Sequence, residues 1–212
     1  MSEPDHGRTR DSYDRVAPSY LDEFHDELAG KPLDRALLSA LVEHTDATRA
    51  IGDLGCGPGH VGAWLADRGR RVVGIDLSPT MVDVGRRRYP EVEFRQGDLL
   101  ALPADDGEFG AVVVLYSIIH LEPDELEPAC HEMRRVLSAS GLALVSFHAG
   151  AETRHLTEWF GHEVDLDFHF WDAGAVADAL GRAGLEETAR LERRPYPGEA
   201  ATRRCYLMAR AG

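Results

Sequence analysis

The stretch "IGDLGCGPGHVG", residues 51–62, holds two overlapping glycine patterns. Read from Gly57 it is G-x-G-x-x-G, with Gly57, Gly59 and Gly62, the loop that nicotinamide and flavin enzymes fold around a pyrophosphate. Read from Asp53 it is D-x-G-x-G-x-G, with Gly55, Gly57 and Gly59, and it suits a different ligand. Both readings use glycine for sharp turning and close approach of backbone to ligand. Both also want an acid at the end of the next strand, where a carboxylate accepts from ribose hydroxyls, and Asp76 supplies it to either.

Around this loop, strand and helix patterns alternate. Leu33, Leu37, Leu38, Leu41 and Val42 recur at helical spacing before it. "AIGDLG" reads as a buried strand, followed by a helix from about Gly59 to Arg68 and the strand "RVVGID". Ser78 and Pro79 read as the cap and first residue of the next helix. "VEFRQGD" and the continuous apolar run "GAVVVLYS" read as strands three and four. A helix to about Leu137 follows, and Gly141 is expected to open the strand "LALVSFH". Between 150 and 170 a helix and then the alternating "EVDLDFHF" are expected. A helix over Ala173–Ala183 and two strands, Glu187–Arg194 and Arg204–Arg210, complete the chain, and residues 1–10 read as frayed. The fold class is therefore α/β, Rossmann-like and doubly wound, a mostly parallel sheet with helices on both faces. Its ligands should bind at the carboxyl ends of the strands.

The 212 residues suffice for one substantial domain. A formal net charge of −14 argues against nucleic acid or an anionic membrane as partner. The groups Arg86–Arg88 and Arg193 with Arg194 read as solvated faces. Cys56, Cys130 and Cys205 are scattered without a C-x-x-C, which fits a reducing compartment and gives no zinc signature. No apolar run is long enough to span a bilayer, and the charged first thirty residues do not read as a signal peptide, so the expected location is cytoplasmic.

Three features separate the two loop readings. Asp53, inside the first strand, would repel a pyrophosphate but would suit a ligand with an ammonium, a sulfonium and no phosphate. Asp98, beside Leu99 at the end of the third strand, fits an adenine edge, with the carboxylate accepting from the exocyclic amine. The loop also begins near residue 53, after an extra helical segment, whereas a nicotinamide fold usually starts with it.

At this point the chain resembles the class I S-adenosylmethionine-dependent methyltransferases, in particular the small-molecule branch that includes quinone-biosynthesis methyltransferases. The matching stretches are "DLGCGPG", "VVGIDLSPTMV", "FRQGDLLALP", "FGAVVVLYSIIHL" and "EMRRVLSASG", with "YDRVAPSYLDEF" similar to the branch's lid segment. They cover about residues 12–149. "RVLSASG" departs from the family's usual Lys-Pro-Gly-Gly turn, and the last sixty or so residues, where the family usually sets its substrate choice, match only loosely. The resemblance implies a seven-stranded sheet with an antiparallel last strand and S-adenosylmethionine as cofactor. It implies that Asp53, Gly55, Cys56, Gly57 and Gly59 hold the methionine end, Asp76 the ribose, and Leu77, Asp98 and Leu99 the adenine. Tyr116 and Ser117 would face the sulfonium and the acceptor, and Tyr13 and Tyr20 would close over the cofactor. The implied organisation is a lid segment over residues 1–45 and a methyltransferase domain over 46–212, with a substrate cap near 150–172.

For a phenol, alcohol or ammonium acceptor a base is needed, and histidine suits that near neutral pH. His120 follows the fourth strand and is the candidate catalytic residue, against the plainer reading that it caps the next loop. His148 ends the fifth strand and is a candidate substrate contact. Trp159, His162, Asp165 and His169 are kept as further substrate contacts, although Asp165, Asp167 and His169 also read as the solvated side of an amphipathic strand. The seven-residue spacing of His148, His155, His162 and His169 reads as coincidence, and no metal site is expected. "RRPYPGEAATRR" reads as the connection of the last two strands, with Tyr196 and Arg204 in it. The function expected is methyl transfer to a small molecule, oxygen favoured over nitrogen, by a monomer or homodimer. The rivals are a nicotinamide oxidoreductase and a non-catalytic S-adenosylmethionine-binding module. The chain contains no asparagine, so the N-P-P-Y-type motif of amino-methylating relatives is absent.

Overall fold

A computed structural model describes residues 6–212. In chain order the elements are α1 (Gly7–Phe24), α2 (Pro32–His44), β1 (Ala50–Leu54), α3 (His60–Ala66), β2 (Val72–Asp76), α4 (Pro79–Arg88) and β3 (Glu93–Gln96). They continue with β4 (Phe109–Leu115), α5 (Leu126–Val136), β5 (Leu137–Ala149), β6 (Thr153–Trp159), β7 (His162–His169), α6 (Ala173–Arg182), β8 (Leu185–Arg193) and β9 (Arg203–Ala211). Seven strands form one sheet in the order β3-β2-β1-β4-β5-β9-β8. β3 to β5 pair in parallel, and β9 runs antiparallel to both β5 and β8.

The apolar run of β4 is explained by its place in the middle of this sheet. Val112 and Val114 pack with α5 and α6 on one face, and Ala111 and Val113 pack with α2, α3 and α4 on the other. Burying each of these valines stabilises the fold by about 1.5–3 kcal/mol. The chain order reverses between β1 and β4, which opens a crevice at their carboxyl ends.

Three local expectations change. The fraying expected for residues 1–10 lies outside the described residues for 1–5, but Gly7 onward is helical. α1 is held because Val16 and Ala17 are fully buried against Met81 of α4 and Val164 and Leu166 of β7. β5 begins at Leu137, four residues before Gly141, because Leu137 pairs with Phe109 before the register shifts to Ala111 with Leu142. No helix forms between 150 and 170; β6 and β7 make a separate antiparallel hairpin. There the alternation of Val164, Leu166 and Phe168 gives β7 a face that packs under α1, which a helix of this sequence would scatter.

Candidate active site

A cavity of about 850 Å³ lies over the carboxyl ends of β1 to β5. Its floor is the glycine loop. Gly55, Gly57 and Gly59 all have positive φ, at 70°, 54° and 87°. A Cβ on Gly55 would lie 2.2 Å from Cβ of Ser117, so only glycine lets the β1 and β4 loops meet. Gly59 is not among the residues lining the cavity; a Cβ there would stand 2.3 Å from the Phe94 ring. Cys56 is a buried thiol whose pKa burial pushes up, so it fills space in the loop rather than offering a thiolate.

Three carboxylates stand along this side, Asp53 in β1, Asp76 at the end of β2 and Asp98 just after β3. Asp53 is 2 % exposed and its Oδ2 has no hydrogen-bond partner among the described residues. Burial raises its pKa to about 7, against the opposing pull of His60 and the Gly62 amide. Asp76 accepts from the Gly57 amide at 2.7 Å and the Ser78 amide at 2.9 Å, tying the loop to the end of β2. Burial still raises its pKa, to about 6. Asp98 accepts from the Leu100 amide at 2.9 Å, and its other oxygen pairs with His6 Nδ1 at 2.7 Å. His6 also reaches Glu125, at 3.1 Å, and its pKa rises to about 9, chiefly through the hydrogen bond with Asp98. Leu77 and Leu99 line the cavity beside these acids.

The roof is aromatic. Tyr13 and Tyr20, two turns apart on α1, have ring centroids 6.2 Å apart, and Trp159 of β6 lies 6.0 Å from Tyr13 and 5.5 Å from Tyr20. The Tyr13 hydroxyl bonds Nε2 of His120 at 2.7 Å. Nδ1 of His120 donates to the Asp167 carbonyl at 2.9 Å, so Nε2 is the acceptor from Tyr13. Burial lowers the His120 pKa to about 4 and keeps the ring neutral.

The opposite wall comes from Tyr116, His148, Lys31 and the β8–β9 connection. Tyr116 has φ of 56° and donates its amide to the Ser146 carbonyl at 2.9 Å, a backbone strain of the kind found at functional sites. Ser117 donates to the Leu54 carbonyl at 2.9 Å. Arg204, in sequence a connector residue, is 4 % exposed and lines the cavity together with Tyr196 and Glu199. Arg193 is likewise no solvated group: at 8 % exposure it bonds Glu199 at 2.6 and 2.9 Å and Asp34 at 3.3 Å. Tyr206 completes that knot, donating to Asp34 at 2.8 Å.

The cavity therefore gathers Tyr13, Tyr20, Asp53, Gly55, Cys56, Gly57, Asp76, Leu77, Asp98, Leu99, Tyr116, Ser117, His120, His148 and Trp159. It leaves out His162, Asp165 and His169, which lie on β7 away from its lining. Asp165 pairs with Arg8 at 3.2 Å, Ser19 reaches His162 at 3.5 Å, and Thr153 bonds His169 at 2.9 Å, so these side chains dock α1 and hold the hairpin. His6, Lys31, Arg154 and Arg204 are cavity residues that periodicity and motif do not mark. Among the described residues no group of three His, Cys, Asp or Glu could hold a metal ion, and no helix is long and apolar enough to cross a membrane.

The donor set fits S-adenosylmethionine. A buried carboxylate oxygen without a partner, Oδ2 of Asp53, suits an ammonium, and Asp76 and Asp98 suit ribose and adenine donors; a pyrophosphate would meet all three acids. The family described as "Methyltransferase domain" matches residues 51–141. A probable S-adenosylmethionine-dependent methyltransferase of Mycolicibacterium smegmatis is 31 % identical over 68 % of this chain and 63 % of its own length. A demethylmenaquinone methyltransferase of Renibacterium salmoninarum is 34 % identical over 63 % of this chain and 56 % of its own. The chain thus spans less than two thirds of the length of these relatives. Magnesium protoporphyrin IX methyltransferase of Synechocystis, solved with its S-adenosylmethionine bound, shares the fold at a TM-score of 0.75 and 16 % identity, covering 100 % of this chain and 99 % of that one. In sheet order, glycine loop and sequence the chain is thus similar to S-adenosylmethionine-dependent methyltransferases, with the family match lying over residues 51–141.

Proposed function

We propose that the protein transfers a methyl group from S-adenosylmethionine to a small-molecule acceptor, with oxygen favoured over nitrogen. The observation that carries this reading is the division of one cavity by charge. Asp53 lies in β1, Asp76 ends β2 and Asp98 follows β3, whereas Lys31 stands over the Tyr116 ring and Arg204 lies on β9 opposite His148. The acid side suits a cationic cofactor without phosphate, and the basic side disfavours a cationic nitrogen acceptor.

In this reading Asp53, Gly55 and Gly57 hold the methionine end, Asp76 the ribose, and Asp98 with Leu77 and Leu99 the adenine. When bound, the cofactor supplies an activated methyl on a sulfonium. What the chain must add is alignment and exclusion of water, and alignment alone can supply roughly 7–11 kcal/mol of the barrier. Tyr13, Tyr20 and Trp159 serve that end by roofing the cavity with apolar rings. His120 has both ring nitrogens bound, so it acts on the site through Tyr13, and any proton it took up would have to pass through that hydroxyl. Residues 1–45 form the lid and 46–212 the transferase body, with the β6–β7 hairpin as substrate cap.

The test is calorimetric binding of S-adenosylmethionine, S-adenosylhomocysteine, NADH and NADPH. Binding of the sulfur pair alone is expected. Binding of a nicotinamide instead would overturn the reading. A binding module without transfer would hold the pair yet form no S-adenosylhomocysteine against an acceptor panel.

A further inference from the structure

We propose that the acceptor is a flat conjugated ring bearing an oxyanion, a carboxylate or a phenolate, bound at the wall formed by His148, Thr202 and Arg204. That this ligand is the methyl acceptor rests on the reading above; that it is an anion rests on the wall itself.

Arg204 on β9 stands opposite His148 on β5 in the sheet register. Its Nη1 donates to the carbonyls of Ala200 and Thr202 and, at 2.9 Å, to Thr202 Oγ1. Its Nε is buried without a hydrogen-bond partner among the described residues. Glu199 Oε2 lies 3.4 Å from it, but that carboxylate is already held by Arg193 from behind the wall. Glu199 is thus shared between Arg193 and Arg204, and the Arg204 guanidinium brings its positive charge to this wall.

Thr202 Oγ1 accepts a hydrogen bond from Arg204 Nη1 and donates its own hydrogen to Nδ1 of His148 at 2.9 Å, nearer than the Ala200 carbonyl at 3.5 Å. With protons so assigned, His148 keeps its hydrogen on Nε2, a donor for an incoming oxygen. The ring stays neutral: burial, then Arg204, Arg154 and Lys31, lower its pKa to about 4 against the opposing pull of Glu199. Two further carboxylates are paired: Glu27 with Lys31 at 2.5 Å and His60 at 2.8 Å, and Glu152 with Arg154 at 2.6 Å.

The same wall is shaped for a planar ligand. The rings of Tyr116, His148 and Phe170 stand in a row with centroid separations of 5.2 and 5.1 Å. Lys31 caps the row 5.7 Å from the Tyr116 ring, and Arg154 caps it 4.7 Å from the Phe170 ring. Rings stack on such a surface, and an oxyanion on their edge meets charge-assisted donors. An acceptor that arrives ionised also needs no proton removed, which agrees with a His120 whose nitrogens are both engaged and a His148 that presents a donor.

The experiment titrates benzoate and 4-nitrophenolate into the full chain, with benzamide and 4-nitrotoluene as neutral counterparts, with and without S-adenosylhomocysteine. In at least one pair the anion is expected to bind about tenfold tighter, the effect of one charge-assisted hydrogen bond. Arg204→Gln, and independently Arg154→Gln, should reduce that preference and leave S-adenosylhomocysteine affinity unchanged. Arg154 is exposed, so its variant keeps the test open should Arg204→Gln fail to fold. The pair that shows the preference tells a carboxylate from a phenolate. Equal affinities within both pairs, absence of binding included, or a preference that survives both substitutions, would overturn the anion assignment. Failure of S-adenosylhomocysteine to bind would overturn the methyl-transfer reading instead, and the anion comparison would stand or fall on the protein without it.

Discussion

The Tyr13 hydroxyl donates to Nε2 of His120 at 2.7 Å, and this bond joins the lid helix to the loop after β4 across 107 positions of sequence. Asp14, the next residue, accepts from Ser78 Oγ at 2.5 Å and from the Thr80 amide at 3.1 Å, so the same turn of α1 is fastened to α4 as well. The lid is thus docked by directional bonds on two sides of the cavity.

Because Tyr13 and His120 act as one unit, Tyr13→Phe and His120→Ala should have similar effects. Each is expected to lower turnover about tenfold or more and to change S-adenosylhomocysteine affinity less. The double variant should fall well short of additivity, with a coupling of about 0.5–3 kcal/mol. Steady-state kinetics and calorimetry on the four proteins check this, and additive effects would show that the bond is incidental.

Asp76 holds two loop amides and offers its remaining lone pairs to the cavity. Asp76→Ala should weaken S-adenosylhomocysteine binding about tenfold to a hundredfold, the loss of one or two hydrogen bonds to a charged group. An unchanged affinity would remove Asp76 from the ribose role.

The pKa values of about 7 for Asp53 and about 6 for Asp76 give the cofactor site a pH dependence of known sign. In the free protein burial favours the protonated acids, while a ligand ammonium and ribose hydroxyls favour the ionised forms. Binding therefore releases protons, and affinity should rise from about pH 5 to about pH 7 and then level off. Asp53→Asn should flatten the upper part of that rise. A titration of S-adenosylhomocysteine at several pH values, with proton release from buffers of different ionisation enthalpy, measures it.

His6 makes the opposite contribution to stability. Its pKa is raised from 6.5 to about 9 by Asp98 and Glu125, so the stabilisation is full below pH 6.5 and is lost as pH rises through 9. His6→Ala should therefore lower the Tm below pH 6.5, and the two proteins should converge above about pH 9. Thermal melts across that range decide the matter, and a constant difference would mean that the pair does not titrate.

No metal enters the proposed chemistry. A chelator is expected to leave both Tm and S-adenosylhomocysteine affinity unchanged; a loss of either would point to an ion bound by residues outside the scheme.

Much of the fold was legible along the chain because its signals are local. The D-x-G-x-G-x-G loop, the apolar run of β4 and the Ser78–Pro79 helix start each depend on residues a few positions apart. The same holds for Asp53, Asp76 and Asp98, since a parallel sheet brings the carboxyl ends of successive strands to one edge. What local pattern does not carry is which polar groups meet across long separations. Arg193 reads in sequence as a solvated charge and Arg204 as part of a strand connection, yet burial opposite Asp34, Glu199 and Thr202 makes both interior. His6, 92 positions from Asp98, had no sequence signal at all. Asp165, Asp167 and His169 had a signal, a polar strand face, but only the packing of α1 and β6 on β7 set Asp165 and Asp167 against Arg8 and His169 against Thr153. Sequence by itself determined the sheet and its acid row, because backbone geometry and strand order follow from near neighbours. The tertiary structure alone decided the basic wall, because a charge is kept inside a fold only where distant residues supply its partners.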